Sequence, residues 1–339
     1  MSTETKIKFA VVGCGSIGKR HVAVIDAENK AELVALCDIN PTPANELSQL
    51  YGNVPVYTSY SEMLAHTQAD IISICTPHGL HASMTLEAAN AKKHILVEKP
   101  MALHLEDCKE MIQAAKENQV ELFVVKQNRY NKPIALTKKA LDDGKLGKVF
   151  MVQCNVMWNR HQDYYAQSGW RGSIELEGGA LHTQVSHFLD LLIWWFGNLT
   201  EAKTITDTLN HDIEIEDCGV SALRFESGVL GSLLWTTCVY NKNYEGSITV
   251  IGEKGTIKVG GKYLNEIEFW DVQSYPLPEN IEFNDLPNNY GKYQGSSSNH
   301  DKTVQNIIGK LLNERHMVVE GDEGMKTIEA IDKIYDSAK

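Results

Sequence analysis

Gly13-Cys14-Gly15-Ser16-Ile17-Gly18 is the most restrictive stretch of the chain. An apolar run at residues 7–12 leads into it and a helix-like segment follows. Three glycines at this spacing between a strand and a helix have separate physical tasks. Gly13 permits the tight turn, Gly15 lets backbone approach a pyrophosphate, and Gly18 lets the helix pack on the strand. The helix N-terminus then offers free N–H groups to the anionic diphosphate. Glycine-rich turns are common, so the context carries the reading: Asp38 ends the second strand-like run, 20 residues after Gly18. A carboxylate there accepts both hydroxyls of an adenine ribose and repels a 2′-phosphate, and neither Ile39 nor Asn40 is an arginine that would welcome one. NAD is therefore favoured over NADP, although a solvated turn aspartate would look the same.

The pattern around this motif repeats. Residues 7–12, 33–37, 71–75, 95–97 and 122–125 read as short, nearly continuous apolar strands, with helix-length segments such as 79–91 and 105–117 between them. This predicts a doubly wound parallel sheet, an α/β Rossmann domain over residues 5–127. Beyond a helical segment at 134–142 the strands lengthen: 149–158, 220–225, 229–237, 247–251 and 256–259. Turns such as Glu226-Ser227-Gly228 and Glu253-Lys254-Gly255 separate them, which predicts a C-terminal α+β domain over 128–322 with a large, mostly antiparallel sheet. Residues 271–298, rich in Pro, Asn, Gly and Ser, read as a long loop. A closing helix at 323–339 carries Met325, Ile328, Ile331 and Ile334 at helical spacing and is expected to pack on the body.

Bulk properties exclude several classes. A formal net charge of −12 without a basic cluster argues against a nucleic-acid partner. The longest very apolar run, 188–196, is interrupted by Asp190 and is too short to span a bilayer. The N-terminal segment has no apolar signal core. Seven scattered cysteines fit reduced structural thiols of a cytoplasmic enzyme better than a disulfide framework.

Two further segments carry chemistry. Glu98-Lys99-Pro100 follows a parallel strand, at the end of such a sheet where ligands bind, and Pro100 stiffens the turn that aims Lys99. A surface lysine before a proline is the plain alternative. The stretch from Glu177 through Gly178-Gly179-Ala180 to His187 becomes helical near Ala180, with Thr183 and His187 one turn apart on one face. His182 and His187 lack metal-site spacing, and no metal is expected. A hydrogen-bonded core histidine is the plain reading of His187. The aromatic and basic run Trp158, Arg160, Tyr164, Tyr165, Trp170 and Arg171 offers stacking faces and guanidinium forks suited to a base, phosphates and a carboxylate. Local pairing of those arginines with Asp163 or Glu175 would explain them equally.

Together, GCGSIG, Cys37-Asp38-Ile39-Asn40-Pro41, Cys75-Thr76-Pro77, Glu98-Lys99-Pro100 and the GGA segment ending at His187 resemble the Gfo/Idh/MocA oxidoreductases. The resemblance covers essentially the whole chain. Further stretches, among them Phe123–Arg129, Trp170-Arg171-Gly172 and Gln184-Val185-Ser186-His187, resemble the subgroup of UDP-N-acetyl-2-amino-2-deoxyglucuronate 3-dehydrogenases of surface-polysaccharide sugar synthesis. The resemblance implies that Lys99 and His187 are catalytic. It implies that Gly13, Gly15, Ser16, Ile17, Gly18, Asp38, Thr76, Pro77, His81, Glu98, Lys99 and Gln127 hold NAD. Substrate contacts are expected from Lys99, Arg129, Arg160, Tyr165, Trp170, Arg171, Thr183, His187 and His300. Several family members carry Asp one turn before the histidine; here that position is Thr183, so an Asp–His dyad is not available. A dehydrogenase of a free sugar, inositol or another nucleotide sugar, and a non-catalytic NAD-binding regulator, remain alternatives. A homodimer or homotetramer is expected, because the outer face of a large sheet needs cover.

Overall fold

The computed structural model describes residues 6–279, 283, 287–289, 294–314 and 316–338. The chain divides into two compact units, residues 1–126 with 300–328, and residues 127–299 with 329–339.

The first unit is a six-stranded, wholly parallel sheet in the order β3-β2-β1-β4-β5-β6. Its strands are β1 (Ile7–Val12), β2 (Ala31–Cys37), β3 (Val56–Tyr57), β4 (Ile71–Ile74), β5 (His94–Val97) and β6 (Leu122–Val124). The helices between them are α1 (Ser16–Ala27), α2 (Pro41–Leu50), α3 (Tyr60–His66), α4 (His81–Asn90) and α5 (Leu105–Asn118). Both faces are covered, which is why the strands read as continuous apolar runs rather than alternating ones. In α1 the buried positions Gly18, His21, Val22 and Ile25 recur every three or four residues and seat it on the sheet. The core joins Phe9, Val11, Ile71, Leu96 and Phe123 to Val304, Ile307 and Ile308 of the helix His300–Leu311.

That last helix corrects the expected domain boundary. Residues 300–328 belong with the first unit rather than with a second domain running to 322, because the apolar face of His300–Leu311 completes the first unit's core. The closing helix spans Gly321–Asp336 and begins two residues earlier than expected, with Ile328, Ile331 and Ile334 fully buried.

The second unit contains a seven-stranded sheet, β13-β12-β11-β7-β10-β9-β8, antiparallel except for the β7–β10 pair. These strands are β7 (Val149–Met157), β8 (Leu199–Asp207), β9 (Cys218–Phe225), β10 (Leu230–Thr236), β11 (Glu245–Gly252), β12 (Gly255–Gly260) and β13 (Glu266–Val272). Helices α6 (Lys132–Asp142), α7 (Gln162–Ala166) and α8 (Ser186–Phe196) belong to it. Inward Val152, Cys154 and Val156 of β7 alternate with outward residues, as expected of a sheet with one wet face. The expected loop at 271–298 is not wholly irregular: β13 runs to Val272, and the strands Pro287–Asn289 and Gln294–Ser297 pair antiparallel. Residues 280–282, 284–286 and 290–293 of that stretch lie outside the described residues.

All seven cysteines are free thiols. Burial pushes Cys14 up to about 12 and Cys37 up to about 11, so both stay protonated and act as small apolar side chains.

Candidate active site

The parallel register lines up the functional motifs of the first unit. Cys37, Val12, Ile74, Val97 and Val124 pair in turn across β2, β1, β4, β5 and β6. The residues that follow them, Asp38, Gly13, Cys75, Glu98 and Val125, therefore stand side by side along the carboxyl edge. The ladder even continues one step, with Gly13 N–H donating to Cys37 O at 2.9 Å and Glu98 N–H to Ile74 O at 3.0 Å. Ligands of open α/β sheets bind beyond this edge, where the strand order reverses between β1 and β4.

Two of the three loop glycines are demanded by the protein itself. Gly13 has φ +87°, and a Cβ there would lie 2.6 Å from Cys75 O. A Cβ on Gly18 would lie 1.9 Å from Gly13 O. Gly15 differs, since a Cβ there would meet nothing within 4 Å. Its surroundings are open at the N-terminus of α1, whose first turn contains no acidic side chain. That is a cradle for an anion. Asp38 is aimed by backbone: Cys14 N–H donates to its Oδ2 at 2.7 Å and Asn40 N–H to its Oδ1 at 2.8 Å. Each carboxylate oxygen retains acceptor capacity for a ribose hydroxyl.

Thr76, Pro77 and the half-buried Lys99 lie on the same edge, and the Lys99-Pro100 peptide is cis. His81, expected at the cofactor, braces two turns of this edge. Its buried ring lies between Pro100 O, 2.8 Å from Nδ1, and Thr76 O, 3.0 Å from Nε2, tying the two turns together. Burial lowers its pKa, so the neutral ring donates one of these bonds and the other is a close approach.

Behind Lys99 sits a buried charge pair. Glu98 Oε1 lies 2.8 Å from His21 Nε2, and Oε2 accepts from Lys99 N–H at 3.1 Å. His21 Nδ1 meets Ser73 Oγ at 2.7 Å. Burial alone would depress His21, but Cys75 and Glu98 outweigh it and push it up to about 10. Burial would likewise raise Glu98, yet His21 and His300 hold it well below the usual carboxylate range. His300, expected to touch substrate, is 1% exposed and packs edge-on to His21 with Nε2 3.3 Å from Glu98 Oε1. Its place is behind the turn, because it opens the helix that completes this core. His21, Glu98 and His300 bring three ligand-type atoms within 4.8 Å of one another. Within it His21 and Glu98 pair with each other, while neither ring nitrogen of His300 makes a hydrogen bond among the described residues.

In the second unit the Glu177–His187 segment is more intricate in its bonding than a plain helix. Leu181–Val185 forms a π turn, and α8 begins at Ser186. Such turns cluster at functional sites because they re-aim side chains. His187 is buried at the start of α8. Gly179 has φ +141°, and a Cβ there would meet Tyr335 Oη at 2.0 Å and Glu216 Oε2 at 2.8 Å. Gly179 is thus required by Tyr335 and by a second carboxylate, the half-buried Glu216. Glu216 Oε1 receives Tyr335 O–H at 2.8 Å, Leu181 N–H at 3.2 Å and Trp235 Nε1–H at 3.3 Å. Burial pushes Glu216 up to about 7. Thr183 Oγ1 lies 2.9 Å from Glu177 Oε1, and Glu177 is fully buried.

The aromatic and basic run assembles in the same unit. Tyr164 has the Arg171 guanidinium 4.1 Å and the Arg160 guanidinium 5.3 Å from its ring centre, and Trp170 also flanks Arg171. Tyr165 is buried with its hydroxyl on Thr237 Oγ1 at 3.1 Å. Gln127 is buried in the short helical turn Gln127–Tyr130. Arg129, expected at the substrate, has its Nε and Nη2 on the two oxygens of Asp190 at 2.8 Å each, over the Trp194 ring. The pair sets the buried Asp190 carboxylate of the mostly apolar α8 against a guanidinium. Sequence reading assigned no role to Glu177, Glu216 or Tyr335. Glu177 stands directly before the diglycine, which was a usable signal, whereas nothing local marks the other two.

Comparison with known proteins agrees with this geometry. Residues 7–126 match the family model described as the Gfo/Idh/MocA oxidoreductase family, NAD-binding Rossmann fold, and residues 134–258 match the corresponding C-terminal domain. The chain is similar to the WlbA dehydrogenase from Bordetella pertussis, solved in complex with NADH and UDP-GlcNAcA. The identity is 40%, covering 98% of this chain and 96% of that one, with a TM-score of 0.89. The Chromobacterium violaceum WlbA dehydrogenase, also solved with NADH and UDP-GlcNAcA, is 39% identical with a TM-score of 0.90, covering 99% of this chain and 94% of that one. Among curated relatives, D-apiose dehydrogenase from Paraburkholderia graminis is 27% identical over 100% of this chain and 89% of its own length.

Proposed function

The chain belongs to the Gfo/Idh/MocA oxidoreductases, and from that membership we propose that it oxidises the C3 hydroxyl of UDP-N-acetyl-2-amino-2-deoxyglucuronate to the 3-keto sugar with NAD. The dehydrogenase reading rests on one observation, the alignment of the glycine loop, Asp38, Thr76-Pro77 and Glu98-Lys99 along a single sheet edge. The substrate assignment is supported by the two WlbA complexes, whose likeness extends over nearly the whole chain. A place in surface-polysaccharide sugar synthesis in the cytoplasm accords with that substrate.

Bound NAD supplies the acceptor for the hydride that leaves the sugar carbon. The chain's own groups do the rest. The open backbone at Gly15 and the N-terminus of α1 hold the diphosphate. Asp38, aimed by two amides, takes the ribose hydroxyls and disfavours a 2′-phosphate. His187 accepts the hydroxyl proton as the carbon loses hydride, which suits an imidazole's near-neutral pKa. The Lys99 ammonium stabilises the negative charge that grows on the sugar oxygen. Glu98 holds the Lys99 amide, and His21 holds Glu98. Arg171, stacked on Tyr164, suits a phosphate or the carboxylate of the nucleotide sugar, whereas Arg160 is buried with Nη1 on Asn159 O and Asn243 Oδ1.

The assay is NADH absorbance with this UDP sugar, together with mass detection of the keto product. Lys99→Ala and His187→Ala should each lower kcat by about a thousandfold while NAD still binds. Unchanged turnover in both variants would leave a non-catalytic regulator. Turnover of a free sugar but not of the UDP sugar would move the chain to another branch of the family.

A homodimer or homotetramer is part of the proposal. On the outer face of the seven-stranded sheet Ile251, Met151 and Leu230 stand side by side in register, 38%, 47% and 41% exposed. A second exposed apolar pair, Ile205 and Val220, lies further along the strands on the same face. Exposed apolar area of this kind marks a protein contact. Light scattering on the full chain and on Met151→Glu decides it, since a monomeric wild type is incompatible with this assignment.

A further inference from the structure

Thr183 lies on the π turn just before His187, and what it offers a ligand depends on where its single hydroxyl proton points. Two acceptors compete for that proton, Glu177 Oε1 at 2.9 Å and Gly179 O at 3.2 Å. The shorter, charge-assisted bond to a carboxylate wins over the longer one to a neutral carbonyl. Thr183 is half-buried, while Glu177 behind it is fully buried. A carboxylate hidden from water thus addresses a ligand only through the hydroxyl in front of it.

We propose that Glu177 is a positioning residue that fixes the polarity of Thr183, making the Thr183 oxygen a hydrogen-bond acceptor for a donating hydroxyl of the sugar. This rests on the reading of the chain as a sugar dehydrogenase. The other carboxylate oxygen is committed as well, because Gly172 N–H donates to Glu177 Oε2. Each Glu177 oxygen therefore already receives a donor, as an ionised carboxylate does. Burial raises the Glu177 pKa, while Arg171 and Arg160 nearby favour the charged form. With the Thr183 proton held inward, the outward lone pairs reject a carbonyl and select a hydroxyl. The pair thereby discriminates the alcohol from its ketone at whichever sugar position it meets.

The geometry also makes the Gln variant informative. In Glu177→Gln the Gly172 N–H keeps the amide oxygen, so the NH2 must face Thr183 and donate to it. That inverts the bond and leaves Gly179 O, the weaker acceptor, alone to hold the Thr183 proton inward against the ligand. A full-length cycle of wild type, Glu177→Gln, Thr183→Val, Thr183→Ser and the Glu177→Gln/Thr183→Val pair tests this, reading kcat and KM for the sugar at saturating NAD. Glu177→Gln and Thr183→Val should each lower kcat/KM for the sugar about tenfold to a hundredfold. NAD affinity, read by nicotinamide fluorescence of NADH, should stay within about twofold. Thr183→Ser should remain near wild type, and the double variant should be no worse than Thr183→Val alone, since the two residues act as a unit.

A Glu177→Gln variant that keeps wild-type kcat/KM overturns the proposal, because it would mean that Glu177 is already protonated or irrelevant to the ligand. So does a Glu177→Gln loss that persists in full in the Thr183→Val background. If Glu177→Gln does not fold, Glu177→Asp keeps the charge but withdraws the carboxylate by one methylene, and its loss must again vanish in the Thr183→Val background. A wild-type chain that oxidises another sugar instead of the UDP sugar strikes the substrate assignment alone, and the same cycle is then run on the sugar that reacts.

Discussion

The carboxyl edge of the parallel sheet and the π-turn segment of the second unit both carry candidate catalytic groups, but they are built from different materials. The edge is made of backbone. Its amides aim Asp38, its glycines exclude side chains, and strand register sets its spacing. The π-turn segment is made of side chains: the buried Glu177 holds Thr183, and the half-buried Glu216 holds Tyr335 against Gly179. Backbone sites are rigid and local. Side-chain sites depend on charge and on partners far along the chain, so the two should fail in different ways when altered.

The largest effect is expected from the charged interior of the second unit. Arg129→Ala removes the bidentate partner of buried Asp190, and the chain should lose about 3–5 kcal/mol of stability in denaturant titrations. A loss under about 1 kcal/mol would mean that Asp190 is relieved some other way and that the contrast is overstated.

Next comes the backbone site. Gly18→Ala places a methyl 1.9 Å from Gly13 O, and neither backbone segment can yield. NAD affinity should fall about a hundredfold, an overpacking cost near the upper end of its usual range. Gly15→Ala meets no protein atom, so its fold should be intact and any loss should appear in NAD binding only. Unequal Tm values with equal NAD affinities would reverse this assignment of roles.

A smaller effect, of opposite sign, concerns Glu216. Its folded pKa of about 7 lies above the ordinary 4.5 because of burial. The folded state binds more protons than the unfolded one between those values, so this group's contribution to stability declines as pH rises from about 4.5 to about 7. Glu216→Gln keeps a carbonyl oxygen for Tyr335, Leu181 and Trp235 without the charge. It should be more stable than wild type at pH 8, by on the order of 2 kcal/mol, with the gap closing toward pH 5. Thermal melts across that range check the sign.

A further pH-dependent expectation returns to the edge, where His21 and Glu98 form a buried ion pair. The folded pKa of His21, about 10, exceeds its ordinary 6.5, so its contribution is complete below about 6.5 and is lost as pH rises to about 10. Glu98 runs the other way, contributing above about 4.5 and losing that as pH falls through its lowered folded value. The pair is therefore strongest between about pH 4.5 and 6.5. His21→Gln should flatten the decline of Tm from pH 6.5 to 10. An unchanged slope would show that other groups carry the alkaline limb.

Legibility in the sequence follows the same division. Strand–helix alternation, the glycine loop and Asp38 were readable because their geometry depends on near neighbours and on glycine's freedom of φ. Glu98-Lys99-Pro100 was readable because the end of a parallel strand is a place defined by topology. His81, Arg129 and His300 have suitable chemistry and stand in or near recognisable motifs, yet each turns to an internal partner. Polar groups capable of binding a ligand are equally capable of satisfying a buried neighbour, and local sequence does not distinguish the two.

The sequence by itself determined the two kinds of sheet, the dinucleotide loop and the order of the motifs, since periodicity and glycine placement act over a few residues. Only the tertiary structure decided that Arg129 neutralises Asp190, 61 positions away, and that Tyr335 reaches Glu216 across 119. It alone put the helix His300–Leu311 into the core of the first unit and placed His300 behind Glu98. A buried charge must find its partner wherever the fold brings one, and that distance is set by packing rather than by spacing along the chain.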